Sequence, residues 1–347
     1  MDPDCKRGDA ITVVIVNYRT PELTLRCVEA LCGERRALPE ISVVIVDGGS
    51  ADGSAAVLQQ GLDQPRFHGW TRVLPLAFNG GFGWANNQAM MDVLQQDAPP
   101  TFIHLLNPDT LIEPGAVVRL AEVAQQYPKA GAIGSQLIET DGQRSGSAFR
   151  FPSVAREFLR GAQTGIVGRL LGIKPILITS EDTCAADWVT GASVLLRSDA
   201  LRDVGLFDDG FFLYFEEVEL MHRMRRGGWD VLHAPLSRVM HIGGAATGVV
   251  SDMRKPMPPY WFQSRRRFFT RAYGPKRAWL ASAGWLVGDS IWHVRKAVGL
   301  GRSGQDIPGE RNGVLHHGLR AGPSDKIAAV ARWSDPPGVH PAWDKPA

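Results

Sequence analysis

Apolar residues fall in short continuous runs along the first part of this chain. Residues 11–16 and 41–46 are apolar or β-branched at every position, and 73–78 and 102–106 are weaker versions of the same pattern. A run without alternation suits a strand buried on both faces, the situation of a parallel sheet. Segments 21–32, 51–62, 83–96 and 114–127 lie between the runs and look helical. Pro21 and Pro114 sit where a first helical turn tolerates proline. Strands alternating with helices predict a doubly wound α/β sheet. Each run closes on polar or small residues: Asn17-Tyr18, Asp47-Gly48-Gly49-Ser50, Asn79-Gly80-Gly81 and Asn107-Pro108-Asp109. In an open parallel sheet these ends share one edge, where such folds bind their ligands. Each turn alone is only a turn, and Asp is common in turns for backbone reasons. Four of them converging predict a nucleotide-type ligand, with Asp109 facing a metal or a phosphate–metal complex.

The second half has a different pattern. Residues 131–138, 189–197 and 229–233 are expected strands, and 161–184 is a loop-rich insertion. A dense aromatic segment, 207–215, runs into Glu216, Glu217 and Glu219, which open a helix that ends at Arg226 before Gly227-Gly228. A carboxylate at the foot of an aromatic wall suits a general base, because desolvation raises its pKa toward working pH. Acidic residues also favour a helix N-terminus through the helix dipole, so the cluster has two readings. His241, just before Gly243-Gly244, is by itself more often a satisfied or surface histidine than a ligand.

Composition narrows the class. A chain of 347 residues can form one or two domains, and a net charge of +2 excludes a whole-chain nucleic-acid binder. Cys5, Cys27, Cys32 and Cys184 lack metal-ligand spacing and are expected as free thiols of a reducing compartment. Residues 1–9 do not resemble a signal peptide, and no apolar run reaches spanning length. A cytoplasmic location is therefore expected. The last part is basic and aromatic. Arg265, Arg266, Arg267, Arg271, Lys276, Arg277, Arg295, Lys296 and Arg302 face Asp289 as the single acid of 265–302. Trp279, Trp285 and Trp292 recur near helical period. Either a membrane-surface face or a helix packed on the body explains them. Beyond Gly301 the chain is rich in Pro and Gly, which predicts a disordered tail.

The order of these parts resembles glycosyltransferase family 2. The matching motifs are Val16-Asn17-Tyr18, Asp47-Gly48-Gly49-Ser50, the Asn79–Asn87 stretch with Gly81, Phe82 and Asn86, Leu106-Asn107-Pro108-Asp109-Thr110, Asp187-Trp188-Val189-Thr190-Gly191-Ala192, Gly205-Leu206-Phe207-Asp208, 211–220, and His241-Ile242-Gly243-Gly244. They cover about residues 11–245 in order and look most like the rhamnosyltransferase branch of bacterial polysaccharide synthesis. The resemblance implies a GT-A fold, a Rossmann-like, mostly parallel sheet with helices on both faces. That domain would span 10–250, with a nucleotide-binding half at 10–130 and an acceptor half at 131–250. A flexible 1–9 would precede it, and a helical basic and aromatic extension at 251–300 and a tail at 301–347 would follow.

The same resemblance implies roles. Asp47 would contact the base or ribose, and Asn17, Tyr18, Asn79, Gly81, Phe82 and Asn86 would frame the nucleotide sugar. Asp109 would hold a divalent cation, Mg²⁺ or Mn²⁺, with His241 as a second metal or diphosphate contact. Glu217 would be the base, with Glu219 and Trp188 on the acceptor side. The implied partners are a nucleotide-sugar donor, a glycan or lipid-linked acceptor and a peripheral membrane contact through 260–300, with no nucleic acid. Four positions depart from the family pattern. Glu stands at 217 and 219 where Asp is frequent, which leaves Glu216 as a substitute base. Asn107 stands at the first acid of an Asp-x-Asp motif, and Gly48 where Asn is frequent. The expected reaction is inverting transfer of L-rhamnose from dTDP-rhamnose, with another UDP- or GDP-sugar as the alternative. A Rossmann oxidoreductase is weaker, since Gly81-Phe82-Gly83-Trp84-Ala85-Asn86 lacks the third glycine and follows the third run. An inactive nucleotide- or glycan-binding protein is the remaining rival.

Overall fold

The computed structural model describes residues 10–242, 256–300, 307–320 and 330–341. The chain opens with β1 (Ile11–Asn17), α1 (Pro21–Leu31), β2 (Ile41–Asp47), α2 (Ser54–Leu62) and β3 (Thr71–Pro75). It continues through α3 (Phe82–Leu94), β4 (Phe102–Leu106), β5 (Thr110–Ile112), α4 (Ala116–Gln126) and β6 (Ala130–Ile138). The middle holds β7 (Ala148–Phe149), α5 (Val154–Ala162), α6 (Gly165–Leu170), β8 (Leu177–Ile178), β9 (Cys184–Ala185), β10 (Trp188–Val189) and β11 (Ser193–Arg197). Then come α7 (Ser198–Val204), α8 (Glu216–Arg226), β12 (Asp230–His241), α9 (Pro259–Tyr273) and α10 (Pro275–Ala297).

The main sheet has the order β3-β2-β1-β4-β11-β6-β12-β5, with β9 also paired to β12. β3, β2, β1 and β4 run parallel, and β11 lies antiparallel between β4 and β6. The expected α/β architecture is therefore present. Alternate residues of β1 feed two cores. Ile11, Val13 and Ile15 pack with α1, α2 and α4, while Val14 packs with α3. Burial on both faces is why these strands are apolar at successive positions. The order reverses beside β1, where α1 and α3 leave for opposite faces. That switch point opens a crevice at the strand ends.

Several boundaries differ from expectation for local reasons. β3 stops at Pro75, which has no N–H for the ladder. α2 begins at Ser54 because Ala51 and Gly53 have positive φ and Asp52 accepts from Ser54 N and Oγ. α4 begins after Gly115, whose φ is +82, so Pro114 lies outside it. The expected strand 189–197 is two strands in different sheets, broken at Thr190-Gly191-Ala192. The insertion 161–184 contains α6 and β8, and β12 runs on to His241.

The C-terminal part differs most. Arg265 and Arg267 are buried, not a basic surface. Arg265 pairs with Glu157 at 2.7 Å, and Arg267 pairs with Asp208 at 2.6 Å. Arg266 donates to the Gly318 carbonyl at 2.6 Å. Burial pushes the Glu157 carboxyl up, but Arg160 and Arg265 outweigh it and hold it below the usual range. Trp285 and Trp292 are buried and Trp279 is exposed, so the three tryptophans do not share one outward face. Within the expected disordered tail, 307–320 and 330–341 are packed. Trp84 Nε1 donates to the Val339 carbonyl at 2.8 Å, and Leu206 N donates to the Ala331 carbonyl at 2.8 Å. The flexible segment expected at 1–9, with Cys5, lies outside the described residues, as do Gly243, Gly244 and Arg302.

The Arg267–Asp208 pair is the most enclosed of these contacts, with both side chains at 1 % exposure or less. Arg267 passes over Gly210, where a Cβ would meet its Cζ at 2.0 Å. Arg267→Met would leave a buried carboxylate with Gly210 N and, as its remaining charged partner among the described residues, Arg271, whose Nε lies at 3.5 Å. We expect a loss of about 3 kcal/mol, read as a lower urea midpoint. An unchanged midpoint would refute the structural weight given to this pair.

Candidate functional site

The strand ends of β1, β2 and β4 surround a cleft of about 440 Å³. Its lining includes Tyr18, Arg19, Asn79, Gly81, Phe82, Asn107, Phe212 and Tyr260. Four of the expected donor-site residues, Tyr18, Asn79, Gly81 and Phe82, thus line one cavity. The other expected residues stand behind it. Asn17 is buried and donates to Asp47 Oδ1 at 2.7 Å, while its Oδ1 accepts from Thr20 N and Thr24 Oγ1. Asp47 also accepts from Ser50 Oγ at 2.6 Å. The two side chains therefore lock the ends of β1 and β2 together and shape the turn that carries cleft residue Gly48. Asn86 donates to the Phe82 carbonyl at 2.9 Å and braces the first turn of α3.

Gly81 is required by its place. Its φ is +88, and a Cβ there would lie 2.1 Å from the Phe212 carbonyl oxygen. Phe82 N donates to that same oxygen at 3.1 Å. The donor-side loop and the aromatic loop are thus joined through backbone. Sequence reading missed Arg19 and Tyr260 as cavity residues. Arg19 follows the expected Tyr18 and has a φ of +59. Its Nε donates to the Ser50 carbonyl, and its guanidinium lies over the Tyr18 ring. Tyr260 comes from the start of α9, and its ring stacks on Tyr214 and meets Phe212 edge-on. No local signal tied that residue to a strand end some distance away in the chain.

Asp109 sits in the turn between β4 and β5, buried at 2 % exposure. Thr110 Oγ1 donates to the Asn107 carbonyl at 2.7 Å and tightens that turn. Pairing of β5 with β12 sets Thr110 opposite His241. This places His241 Nε2 at 3.4 Å from Asp109 Oδ1. Contact with Asp109 raises the His241 pKa against the opposing effect of burial. One carboxylate and one imidazole, next in the chain to the cleft residues Asn107 and Pro108, fit a divalent cation that takes its remaining ligands from the substrate and water. Among the described residues no group of three or more His, Cys, Asp or Glu side chains forms a fuller metal cage.

The acidic cluster resolves into three different environments. Glu219 receives Arg223 Nε at 2.9 Å on both oxygens, and Arg223 also donates to the carbonyls of Val204 and Leu206. Glu219 is therefore held in a buried ion pair with Arg223. Glu216 points into the protein, near Gly83 at the start of α3. Burial and then the Glu217 charge raise its pKa well above the usual carboxylate range. Glu217 lies beside Gly191, whose Cβ position is within 4 Å of both the Phe82 ring and Glu217 Cβ. The residue keeps partial exposure, but its Oε2 is enclosed without a hydrogen-bond partner among the described residues. Burial pushes its pKa up to about 7. Trp188 stacks on Phe149 at 4.3 Å and donates to the Arg150 carbonyl, half-buried on the β10 side.

The residues that launch α8 are strained. Tyr214 and Phe215 both have positive φ, at 70° and 68°. Such residues cost roughly 1–3 kcal/mol each and persist when their surroundings over-determine them. Here α9 does so. Phe215 stacks on Phe268, Ser264 Oγ donates to the Leu213 carbonyl at 2.8 Å, and Tyr260 stacks on Tyr214.

The fold is of the GT-A type. Its solved structural neighbours include a mannosyltransferase from Pyrobaculum calidifontis in complex with GDP-Man and Mn²⁺. That match has a TM-score of 0.52 at 13% identity and covers 86% of this chain and 78% of the other. A second is GalNAc-T7 with UDP, GalNAc and Mn²⁺, with a TM-score of 0.57 at 13% identity, covering 90% of this chain and 55% of the other. More particularly, residues 12–171 match the model of Glycosyl transferase family 2. The chain is 29% identical over 220 residues to an N-acetylglucosaminyl-diphospho-decaprenol L-rhamnosyltransferase of Mycobacterium tuberculosis, covering 60% of this chain and 68% of that protein. It is 27% identical over 169 residues to the rhamnosyltransferase WbbL of Escherichia coli, covering 46% and 60%.

Gly81→Ala is expected to force the donor loop away from Phe212 and to weaken donor binding about tenfold or more. Calorimetry checks this. Unaltered affinity would show that the close approach does not shape the cleft.

Proposed function

We propose that this chain is an inverting glycosyltransferase that moves L-rhamnose from dTDP-rhamnose onto a glycan or lipid-linked glycan in cell-surface polysaccharide synthesis. The observation that carries the reading is the pairing of two unlike groups around one cleft. The Asp109–His241 pair lies where strand ends open, and an enclosed carboxylate, Glu217, lies beside the cavity-lining Phe82. The names of the two bacterial relatives support the sugar. The decaprenol-linked acceptor in one of those names supports the acceptor class.

In this reading the nucleotide lies over Tyr18 and Arg19, with the donor sugar toward Asn79, Gly81 and Phe82. Asp109 and His241 would hold the cation. A divalent cation bound there would supply Lewis-acid stabilisation of the charge that grows on the leaving diphosphate. Glu217 accepts the proton of the acceptor hydroxyl as that oxygen attacks the anomeric carbon and the bond to the diphosphate breaks. A base with a pKa near 7 is half-ionised near neutral pH and still strong enough to take the proton. Glu216 is buried and points away from the cleft, and so leaves this role to the partly exposed Glu217.

Asp109→Asn should abolish the metal-dependent part of donor stabilisation in a thermal-shift assay with Mn²⁺. Retained metal dependence would remove Asp109 from the cation site. In the same assay dTDP-rhamnose should give a larger shift than UDP- or GDP-sugars. A larger shift with one of those would reassign the donor.

Glu217→Gln should keep donor binding and lower turnover by about 10²–10⁴-fold. The ionised carboxylate is the active form. The pH profile of kcat/KM should therefore climb about tenfold per pH unit below the Glu217 value of about 7 and level off above it. A profile flat from pH 5 to 8, roughly, would exclude this base.

A further inference from the structure

α10 has two unlike faces. Ala278, Ala281, Trp285, Gly288 and Trp292 are buried. Gly288 crosses α5 so closely that a Cβ would lie 2.3 Å from the Phe158 carbonyl oxygen. The outer face is apolar too. Leu280, Val287, Ile291, Val294 and Val298 are 41–64% exposed, and their spacing sets them along one helical stripe. A helix packed on one side normally turns a polar face outward. α6 repeats the anomaly, with Ile166, Leu170 and Leu171 at 66–82% exposed. Arg295, near the end of α10, donates to the Ala162 carbonyl at the end of α5, just before α6 begins. The two apolar surfaces therefore lie at the same end of the α5–α10 pair.

The charges around them have one sign. Arg169 and Lys174 flank the α6 surface, Lys276 and Arg277 stand at the head of α10, and Lys296 lies near its end. Residues 163–178 contain no Asp or Glu. Asp289, the acid of α10, is buried and bound to Arg311. No helix among the described residues is long and apolar enough to cross a membrane. An amphipathic helix with an aliphatic stripe and basic flanks matches a bilayer surface, where the stripe enters the acyl boundary and the cations meet anionic headgroups.

We infer that the outer face of α10, together with α6, docks this protein onto an anionic phospholipid bilayer. The contact differs from the one expected from the sequence. Trp285, Trp292, Arg265 and Arg267 are spent inside the protein, and the aliphatic stripe on the far side of the helix takes their place. The inference does not depend on the donor, the acceptor or the proposed base.

The test is flotation of the full chain with phosphatidylcholine vesicles, with and without about 30% phosphatidylglycerol. The protein should float with the anionic vesicles and bind them less at high salt. The double variant Val287→Glu and Ile291→Glu should lower the bound fraction about tenfold or more while donor binding and melting stay unchanged. If that variant misfolds, Val287→Ser with Ile291→Ser serves in its place. Three results would overturn the inference: no flotation of the native chain on anionic vesicles, equal flotation of the variants, or a solution dimer that the variants dissolve. The last would assign the face to a second copy of the chain.

Discussion

The buried pair of Asp208 and Arg267 holds together the parts on which the rest depends. Two full charges this far from water are tolerated only when matched, since an isolated buried ion costs several kcal/mol. The pair fastens α9 to the start of the aromatic loop, across Gly210, where there is room for a guanidinium and for no side chain. From that anchor α9 delivers Ser264 to the Leu213 carbonyl, Phe268 to Phe215, and Tyr260 to Tyr214 and the cleft. Helix α9 lies outside the matched family segment 12–171, yet it forms one wall of the cavity.

That bracing explains how a strained segment stays in place. Tyr214 and Phe215 lie in the left-handed region, and their turn sets the direction in which α8 starts. The direction sorts the three glutamates. One turn of helix carries Glu216 inward, Glu217 toward Phe82 and Glu219 to Arg223. The Phe212 carbonyl reaches back to Phe82 N, so the loop before α3 and the aromatic loop before α8 share one backbone link. A change at Asp208 or Arg267 would therefore reach the cleft through geometry, without touching a ligand.

The parallel half of the sheet was legible because burial on both faces writes itself as uninterrupted apolar runs. The convergence of Tyr18, Asn79, Gly81 and Phe82 followed from topology alone. Other features were hidden for definable reasons. His104 sits inside one of the apolar runs and is buried, with Nε2 3.0 Å from Ser193 Oγ on β11. Burial pushes its pKa down to about 3, so it behaves as a neutral polar core residue. The arginines of 265–267 read as a basic surface because their partners, Glu157, Asp208 and the Gly318 carbonyl, are far away in sequence. Glycine- and proline-rich composition suggested disorder after Gly301, but backbone contacts to Trp84, Gln88 and Leu206 order parts of that stretch. Composition reports the absence of a private core. It does not report docking onto a core that already exists.

That the proposed cation position has Asp109 as its single carboxylate gains a physical account from the same logic. Asn107 lines the cleft, and its backbone N donates to the Ala192 carbonyl on the approach to β11. A second carboxylate there would add a like charge near buried Asp109 and raise the cost of keeping both ionised. The neutral amide avoids that repulsion, and His241 stands beside Asp109 on the opposite strand. Its charge is favoured by Asp109 in the absence of a cation. Binding of a cation would require the imidazole to be neutral, since only then does its nitrogen carry a lone pair. A cation held by the proposed Asp109–His241 pair would therefore displace a proton from the imidazole, a coupling that an Asp-x-Asp arrangement without a histidine contact would not have.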